Sequence, residues 1–376
     1  MKITRLEAIT LTYSYDAREV WEGWYGPVRQ WRSVLVRVHS DTGLTGLGEV
    51  TAGSSAPDVA VQTVKHFEPF LVGEDPSQIA ELWRRMYTST SFWGRRGLGI
   101  GALSGIEMAL WDLAGKAREA PVWALLGSAA RDRVPTYASV AGSRDQNDFV
   151  KELRDCLEDG FSGVKIRIGY TQQEDLERAE LARQTLGDRV KLILDAGQGY
   201  LQRPWTVDQA ISMAKALSDF SPFWLEEPYL TDDPDGYAAI SQAVDYPIAG
   251  GENATTFWEF KHLLDKGAMD IIQPDLGHAG GFAEVLHIAA LAAARSVAIA
   301  PHVWATGVGL KAAIHFAVAV PECLIVEYPR VPNPLREAVI TEPIRFIQDC
   351  LTVPEAPGLG VALSNDVLQQ YAVQVS

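Results

Sequence analysis

PFWLEEPYLTDDPDGYAAISQAVDYPIAGGE, residues 222–252, is the stretch on which the fold turns. It opens with a short apolar run closed by Glu226 and crosses a turn rich in Asp and Pro. A helical pattern follows over 233–244, and a second apolar run is closed by Glu252. Strand, helix and strand in this order make a βαβ unit, and its strands read as buried on both faces.

The unit repeats on either side. VPTYASVA, GVKIRI and VKLILDA precede it; MDIIQPD, VAIAPHV and CLIVEYP follow. Helical patterns at 145–159, 172–186, 206–219, 255–266, 281–295 and 307–318 alternate with them. Lys165, Asp195, Glu226, Glu252, Asp275, His302 and Glu327 span 162 residues in six steps, a mean of 27. Eight such units match a parallel βα barrel, about 250 residues in typical cases, better than an open doubly wound sheet.

Before this region the chain reads as α+β. Strands are expected at 1–15, 33–40 and 44–50, and helices at 57–71, 77–90 and 104–118. Ser104 three residues before Glu107 reads as a capping box opening the last helix. After Pro332 the stretches AVITEPIRF and PEAPGLGVAL carry strand and turn character and are expected to return to the first section.

Composition excludes several classes. The formal net charge of −15, from 33 Lys+Arg against 48 Asp+Glu, lacks the positive footprint that nucleic acid requires. No apolar run approaches the ~18 residues of a membrane helix, and MKITRLEAITLTYSYDA has no signal-peptide core, so a cytoplasmic protein is expected. Cys156, Cys323 and Cys350 are odd in number and far apart, so reduced thiols are expected rather than a disulfide framework or zinc site.

Barrel active sites lie at the C-terminal ends of the strands. Six of the seven repeating positions are the first ionisable residues after an apolar strand; Lys165 sits within its strand. Asp195, Glu226 and Glu252 close three consecutive strands. Carboxylates converging on one rim repel unless a cation compensates them, and an all-oxygen set suits Mg²⁺. Asp275 and His302 follow, and a carboxylate beside an imidazole fixes its tautomer and raises its basicity. Lys165 and Arg167 share one strand face and bring two cations toward the same mouth. His39, His66, His262, His287 and His315 fall out of this phase and read as structural.

Taken together, Lys165-x-Arg167, Asp195 in LILDAGQGY, Glu226 in WLEEP, Glu252 in AGGEN, Asp275 in IIQPD, His302 in APHVW and Glu327 in IVEYP resemble the mandelate racemase subgroup of the enolase superfamily. RRGLGIGALSGIEMALWDLAGK, QPDLGHAGGF and APGLGV look most like acid-sugar dehydratases and sugar-lactone cycloisomerases. The resemblance implies a modified (β/α)7β TIM barrel at 126–330, with an α+β capping domain from 1–125 and the returning segment 331–376. It implies Mg²⁺ on Asp195, Glu226 and Glu252, holding a substrate carboxylate and stabilising an enediolate. A Lys or His base working beside Mg²⁺ is the established pattern of enolase-superfamily sites and comes with the resemblance. It also implies His302 with Asp275 as acid/base, Glu327 as a hydrogen-bonding partner that is electrophilic if protonated, a small carboxylate substrate (acid sugar or lactone) and a homo-oligomer.

Two positions depart from the pattern. Arg167 stands where many members carry a basic Lys, and arginine is a poor base, which disfavours two-base racemisation and leaves Lys165 as the other acid/base. Gly197 stands where Asn is frequent. Dehydration of an aldonate or aldarate is expected first, cycloisomerisation second, epimerisation third. An inert metal binder would dispense with the base, yet Asp275 and His302 are both present.

The aromatic segment 16–31 reads as a lid, with Trp24, Tyr25, Arg29 and Trp31 as candidate substrate contacts. Trp304, His278, Trp93 and Arg95 are further candidates. Residues 97–102 match G-x-G-x-x-A, but no strand precedes them, so a dinucleotide site is not expected.

Overall fold

The computed structural model describes residues 1–24, 26–127 and 129–376. The N-terminal section carries β1 (Ile3–Ser14), β2 (Trp21–Gly23), β3 (Gly26–Val28), β4 (Gln30–Ser40) and β5 (Thr45–Val50), followed by α1 (Pro57–Phe67), α2 (Ile79–Ser89), α3 (Leu98–Ala117) and α4 (Val122–Leu126). β1, β4 and β5 form an antiparallel sheet, and β2–β3 is a separate hairpin between β1 and β4.

α3 packs against β5 at backbone distance. A Cβ at Gly46 would lie 1.9 Å from the Ala109 carbonyl oxygen, and one at Gly48 would lie 1.9 Å from that of Gly105. Only glycine admits this approach.

The capping-box reading of Ser104 and Glu107 is corrected here. α3 begins at Leu98, so both residues lie inside it. They cap a different helix. Ser104 accepts from Gly280 N–H at 2.8 Å, and Glu107 accepts from Phe282 N–H at 2.8 Å and Ala283 N–H at 3.0 Å. Burial pushes the Glu107 carboxyl up to about 7, against the pull of these hydrogen bonds.

The second section alternates strictly. Its strands are β6 (Arg133–Ser139), β7 (Gly163–Arg167), β8 (Lys191–Asp195), β9 (Trp224–Glu226), β10 (Ile248–Gly250), β11 (Ile271–Ile272), β12 (Ala298–Ile299) and β13 (Val326–Pro329). Between them run α5 (Gln146–Glu158), α6 (Gln172–Leu186), α7 (Val207–Leu217), α8 (Pro234–Ser241), α9 (Thr256–Asp265), α10 (Gly281–Ala293) and α11 (Gly307–Ala319). β6 to β12 pair in sequence order, all in parallel, and β13 pairs with β6. A parallel bridge between Ile299 and Cys323, with Leu324 N–H donating to the Ile299 carbonyl at 2.8 Å, links the last strands. The molecule is thus an α/β barrel of the TIM type with an α+β cap.

Strand alternation divides the barrel core. Tyr137, Ile193, Trp224, Ala249, Ile271, Ala300 and Ile325 form one buried cluster inside the ring. Val164, Ile166, Leu192, Leu194, Leu225 and Ile248 join the larger cluster beneath the helices. Lys165 and Arg167 on β7, Asp195 on β8 and Glu226 on β9 have the inward phase.

The tail runs through α12 (Pro334–Ala338), β14 (Phe346–Ile347), β15 (Cys350–Thr352), α13 (Asn365–Tyr371) and β16 (Ala372–Val375). β15 pairs with β6, and β16 pairs with β1 in the N-terminal sheet. AVITEPIRF, residues 338–346, is mostly turn and bridge: Ile340 makes an antiparallel bridge with Val361, and Phe346 opens β14. Just before it, Pro334 opens α12, and Asn333 caps that helix by accepting from Leu335 N–H. The three cysteines are free. Among the described residues no helix is long and apolar enough to cross a membrane.

Candidate active site

A cavity of about 650 Å³ opens between the barrel mouth and the β2–β3 hairpin. Lys165, Arg167, Asp195, Glu252, Asp275, His302 and Glu327 line it. Glu226 lies beneath, fully buried.

Lys165 is the hub of the floor. Its Nζ lies 2.5 Å from Glu226 Oε1 and 2.9 Å from Glu327 Oε1. Burial disfavours the ammonium, but the charges of Glu226 and Glu327, with Tyr137 and Asp195, outweigh it and hold its pKa well above the usual value. Trp224, two residues before Glu226 on the same strand face, donates Nε1–H to Glu226 Oε2 at 2.9 Å.

Glu327 accepts from Val303 N–H at 2.9 Å. Burial raises its pKa, yet Lys165 and His302 pull it below the usual carboxylate value. These surroundings favour the carboxylate form of Glu327.

His302 faces Asp275. Its Nδ1 lies 2.8 Å from Asp275 Oδ2, and its Nε2 lies 3.7 Å from Glu252 Oε2. Asp275 is itself fixed from the cap: Thr51 Oγ1 donates to Asp275 Oδ1 at 2.8 Å, joined by Gly277 N–H at 2.7 Å. With Nδ1 engaged by an acceptor, Nε2 is the nitrogen left for chemistry. Burial lowers the imidazole's pKa, and Glu252, Asp275 and Glu327 more than reverse this, taking it up to about 10.

Asp195 and Glu252 complete the acidic side. Burial and the neighbouring Glu226 raise the Asp195 carboxyl to about 8. Tyr200 donates its hydroxyl to Glu252 Oε1 at 2.5 Å. The donor set of Asp195, Glu226 and Glu252 fits a hard divalent cation: all its atoms are oxygen, Asp195 and Glu226 are buried with Glu252 partly so, and burial and neighbouring carboxylates raise the pKa of Asp195 and Glu226 despite the charges of Lys165 and Arg167. Among the described residues no three acidic, His or Cys side chains stand ready at ligating distance. Glu226 is turned to Lys165 and Trp224 instead.

Arg167 is placed differently from Lys165. Among the described residues it has no ion-pair partner, and its one hydrogen bond runs from Nη1 to the Glu22 carbonyl at 3.3 Å. The Trp24, Trp304 and Trp21 rings surround it, with centroids 5.0, 5.3 and 5.4 Å from Cζ. Gly197 explains itself here. It has φ +49°, and a Cβ would lie 2.2 Å from Trp24 Cζ2. Trp24 also stacks on Tyr200, centroids 6.0 Å apart and planes within 8°.

Of the further candidates, Trp24, Trp31, Trp304 and His278 line the cavity. Tyr25 lies outside the described residues. Arg29 is exposed and not part of the lining. Trp93 packs on His66 and Phe67, and Arg95 lies over Tyr87, both on the cap surface. His39 pairs with Glu7, and His315 is buried and accepts from Trp123 N–H. Sequence reasoning missed Trp21, Thr51 and Tyr200. Trp21 shared the aromatic segment of Trp24, and Tyr200 stood in the loop after Asp195. Thr51 gave no signal, being 224 residues from its partner.

The family model described as enolase C-terminal domain-like matches residues 148–367. That for the mandelate racemase / muconate lactonizing enzyme N-terminal domain matches residues 22–127. The chain belongs to this group of the enolase superfamily. It is 37% identical over 350 residues to the D-galactarolactone cycloisomerase of Agrobacterium fabrum, covering 90% of each chain. It is 34% identical over 343 residues to the arabinonate dehydratase of Saccharolobus solfataricus, again covering 90% of each. A racemase from Streptomyces coelicolor A3(2), solved with bound magnesium, superposes with a TM-score of 0.88 at 29% identity, over 99% of this chain and 100% of that one. These relatives are enzymes of acid-sugar chemistry or of the wider superfamily, which supports enzymatic activity for this chain.

Proposed function

We propose that this protein removes the proton α to the carboxylate of an acid sugar and expels the oxygen on the β carbon, giving a 2-keto-3-deoxy acid. The observation that carries this is the asymmetry of the cavity: one proton-transfer dyad, His302–Asp275, faces a strand whose second cation is an arginine. A two-base exchange of configuration lacks its second base; an elimination needs only one.

His302 Nε2 takes the α-proton, while Asp275, held by Thr51, keeps the ring in the required tautomer. Lys165 keeps its proton between Glu226 and Glu327 and places a positive charge beside the developing enediolate. The C–O bond at the β carbon then breaks, the departing oxygen takes the proton that His302 has just accepted, and the enol ketonises to the 2-keto acid by moving its hydroxyl proton to the β carbon. Asp195, Glu226 and Glu252 are the residues that would hold Mg²⁺, which when bound supplies positive charge for the substrate carboxylate and offsets the acidic field around His302.

In the leading reading the leaving oxygen is a hydroxyl, making the enzyme a dehydratase. A second reading, cycloisomerisation of a lactone or anhydro acid with a ring oxygen leaving, is favoured by the 37% identical relative and by the tryptophan-lined wall, which suits a ring face.

The test is a screen of the purified protein with Mg²⁺ against acid sugars and their lactones in D₂O, followed by NMR. A 2-keto-3-deoxy product from an open-chain acid supports dehydration. Conversion of lactones alone moves cycloisomerisation to first place. Absence of α-proton exchange from every compound overturns the proposal.

A further inference from the structure

Arg167 is the charge that the proposed elimination does not use. It is 9% exposed, carries no carboxylate partner among the described residues, and lines the same cavity as the reacting groups. Lys165, two residues away on the same strand face, is matched by two carboxylates. Asp195, on the neighbouring strand, feels the charge of Arg167 without forming an ion pair with it, and a buried guanidinium with no carboxylate at ion-pair distance is costly unless something stabilises it.

The surroundings show what does so, and what is left open. The three indoles lie 5.0–5.4 Å from Cζ, and cation–π contacts of this kind contribute about 0.5–2 kcal/mol each. They stabilise the positive charge without cancelling it. Of the five N–H groups a guanidinium carries in its plane, one is engaged among the described residues, by the Glu22 carbonyl. The geometry of the group suits a planar, bidentate acceptor. Arg32, also on the cavity wall, likewise forms no ion pair among the described residues. The cavity is therefore polarised, with carboxylates around His302 and Lys165 and unmatched guanidinium groups toward the lid.

The cage is fixed rather than incidental. Trp24 occupies the space that a side chain at 197 would fill, and it stacks on Tyr200. Trp304 packs against Trp21 and Trp31, with centroids 5.6 and 5.3 Å away.

We infer that Arg167, in its tryptophan cage, receives a second carboxylate of the substrate, so that the preferred substrate is an open-chain dicarboxylic acid sugar. This rests on the acid-sugar reading above and adds the group at the far end of the molecule.

The experiment uses matched open-chain pairs differing only at C6, galactarate against galactonate and glucarate against gluconate, with Mg²⁺ in D₂O. The wild-type protein should show kcat/KM for α-proton exchange about 10²-fold higher for the dicarboxylate of the reactive pair, the scale of a buried charge pair. Arg167→Met should abolish that preference, mainly through KM. Equal wild-type rates for the two members would overturn the inference whether or not the variant folds. So would an Arg167→Met loss shared equally by both, which would place Arg167 on the carboxylate common to them. Failure of the underlying reading looks different: no exchange with any compound, which removes both.

Discussion

The barrel rim and the lid hairpin supply two sides of one cavity and are built by different rules. At the rim, strand alternation aims Lys165, Asp195 and Glu226 inward, and each meets a charge partner or a buried donor. At the lid, Trp21 and Trp24 belong to a three-residue strand and the turn after it, and the structure holds them through what they touch. Arg167 stands on the border. It shares strand, face and charge with Lys165, yet the groups packed around its guanidinium are indoles, with no carboxylate at ion-pair distance among the described residues. Phase in the repeat sets where a side chain points; the partner sets what it does there.

If the rim is the reacting side, the largest effect belongs to His302. His302→Asn should lower α-proton exchange by roughly 10³-fold or more, read by NMR in D₂O. Exchange within tenfold of wild type would remove His302 from that role. Metal removal probes the carboxylates of the same rim. Chelation should abolish exchange and added Mg²⁺ restore it, and activity surviving exhaustive chelation would sink the metal assignment.

A third prediction concerns how the cap grips the barrel. Glu107, with its folded pKa raised to about 7 from 4.5, contributes stability that is present below the unfolded value and lost as pH rises through the folded one. Between pH 4.5 and 7 that loss is about 3 kcal/mol. Denaturation midpoints at pH 5 and 7 should diverge more in wild type than in Glu107→Gln. Equal divergence would mean that Glu107 is ionised in the folded state across that range.

Smaller effects test the border itself. Gly197→Ala forces Trp24 out of its place and should raise KM by about 5- to 30-fold, the equivalent of about 1–2 kcal/mol, with kcat less changed. An unchanged KM would show that the seat of Trp24 does not matter to the substrate. Thr51→Val removes one hydroxyl from Asp275, worth about 1 kcal/mol. It should lower kcat by up to about tenfold, with Thr51→Ser restoring it; no rescue by Ser would point to packing instead.

Much of the barrel was legible because its signals are local. α6 was expected at 172–186 and occupies Gln172–Leu186, since apolar runs and helical patterns alternate without ambiguity there. The same local pattern misled at Ser104 and Glu107. S-x-x-E has one spelling whether it caps its own helix or, as here, the N-terminus of α10, 175 residues away in the case of Phe282. The lid was least legible. Trp24, Trp93, Arg29 and Arg95 are alike as isolated aromatic or basic residues, and only Trp24 reaches the cavity.

The sequence by itself determined the parallel barrel and the one-per-strand placement of the ionisable groups. Each follows from a period along the chain: two residues within a strand and about 27 between units. Only the tertiary structure decided that Glu327 is surrounded by cations, that Gly197 makes room for Trp24, and that Arg167 is solvated by indoles. Those outcomes depend on which side chains from distant segments share a space, and a buried group's charge and role are set by that company.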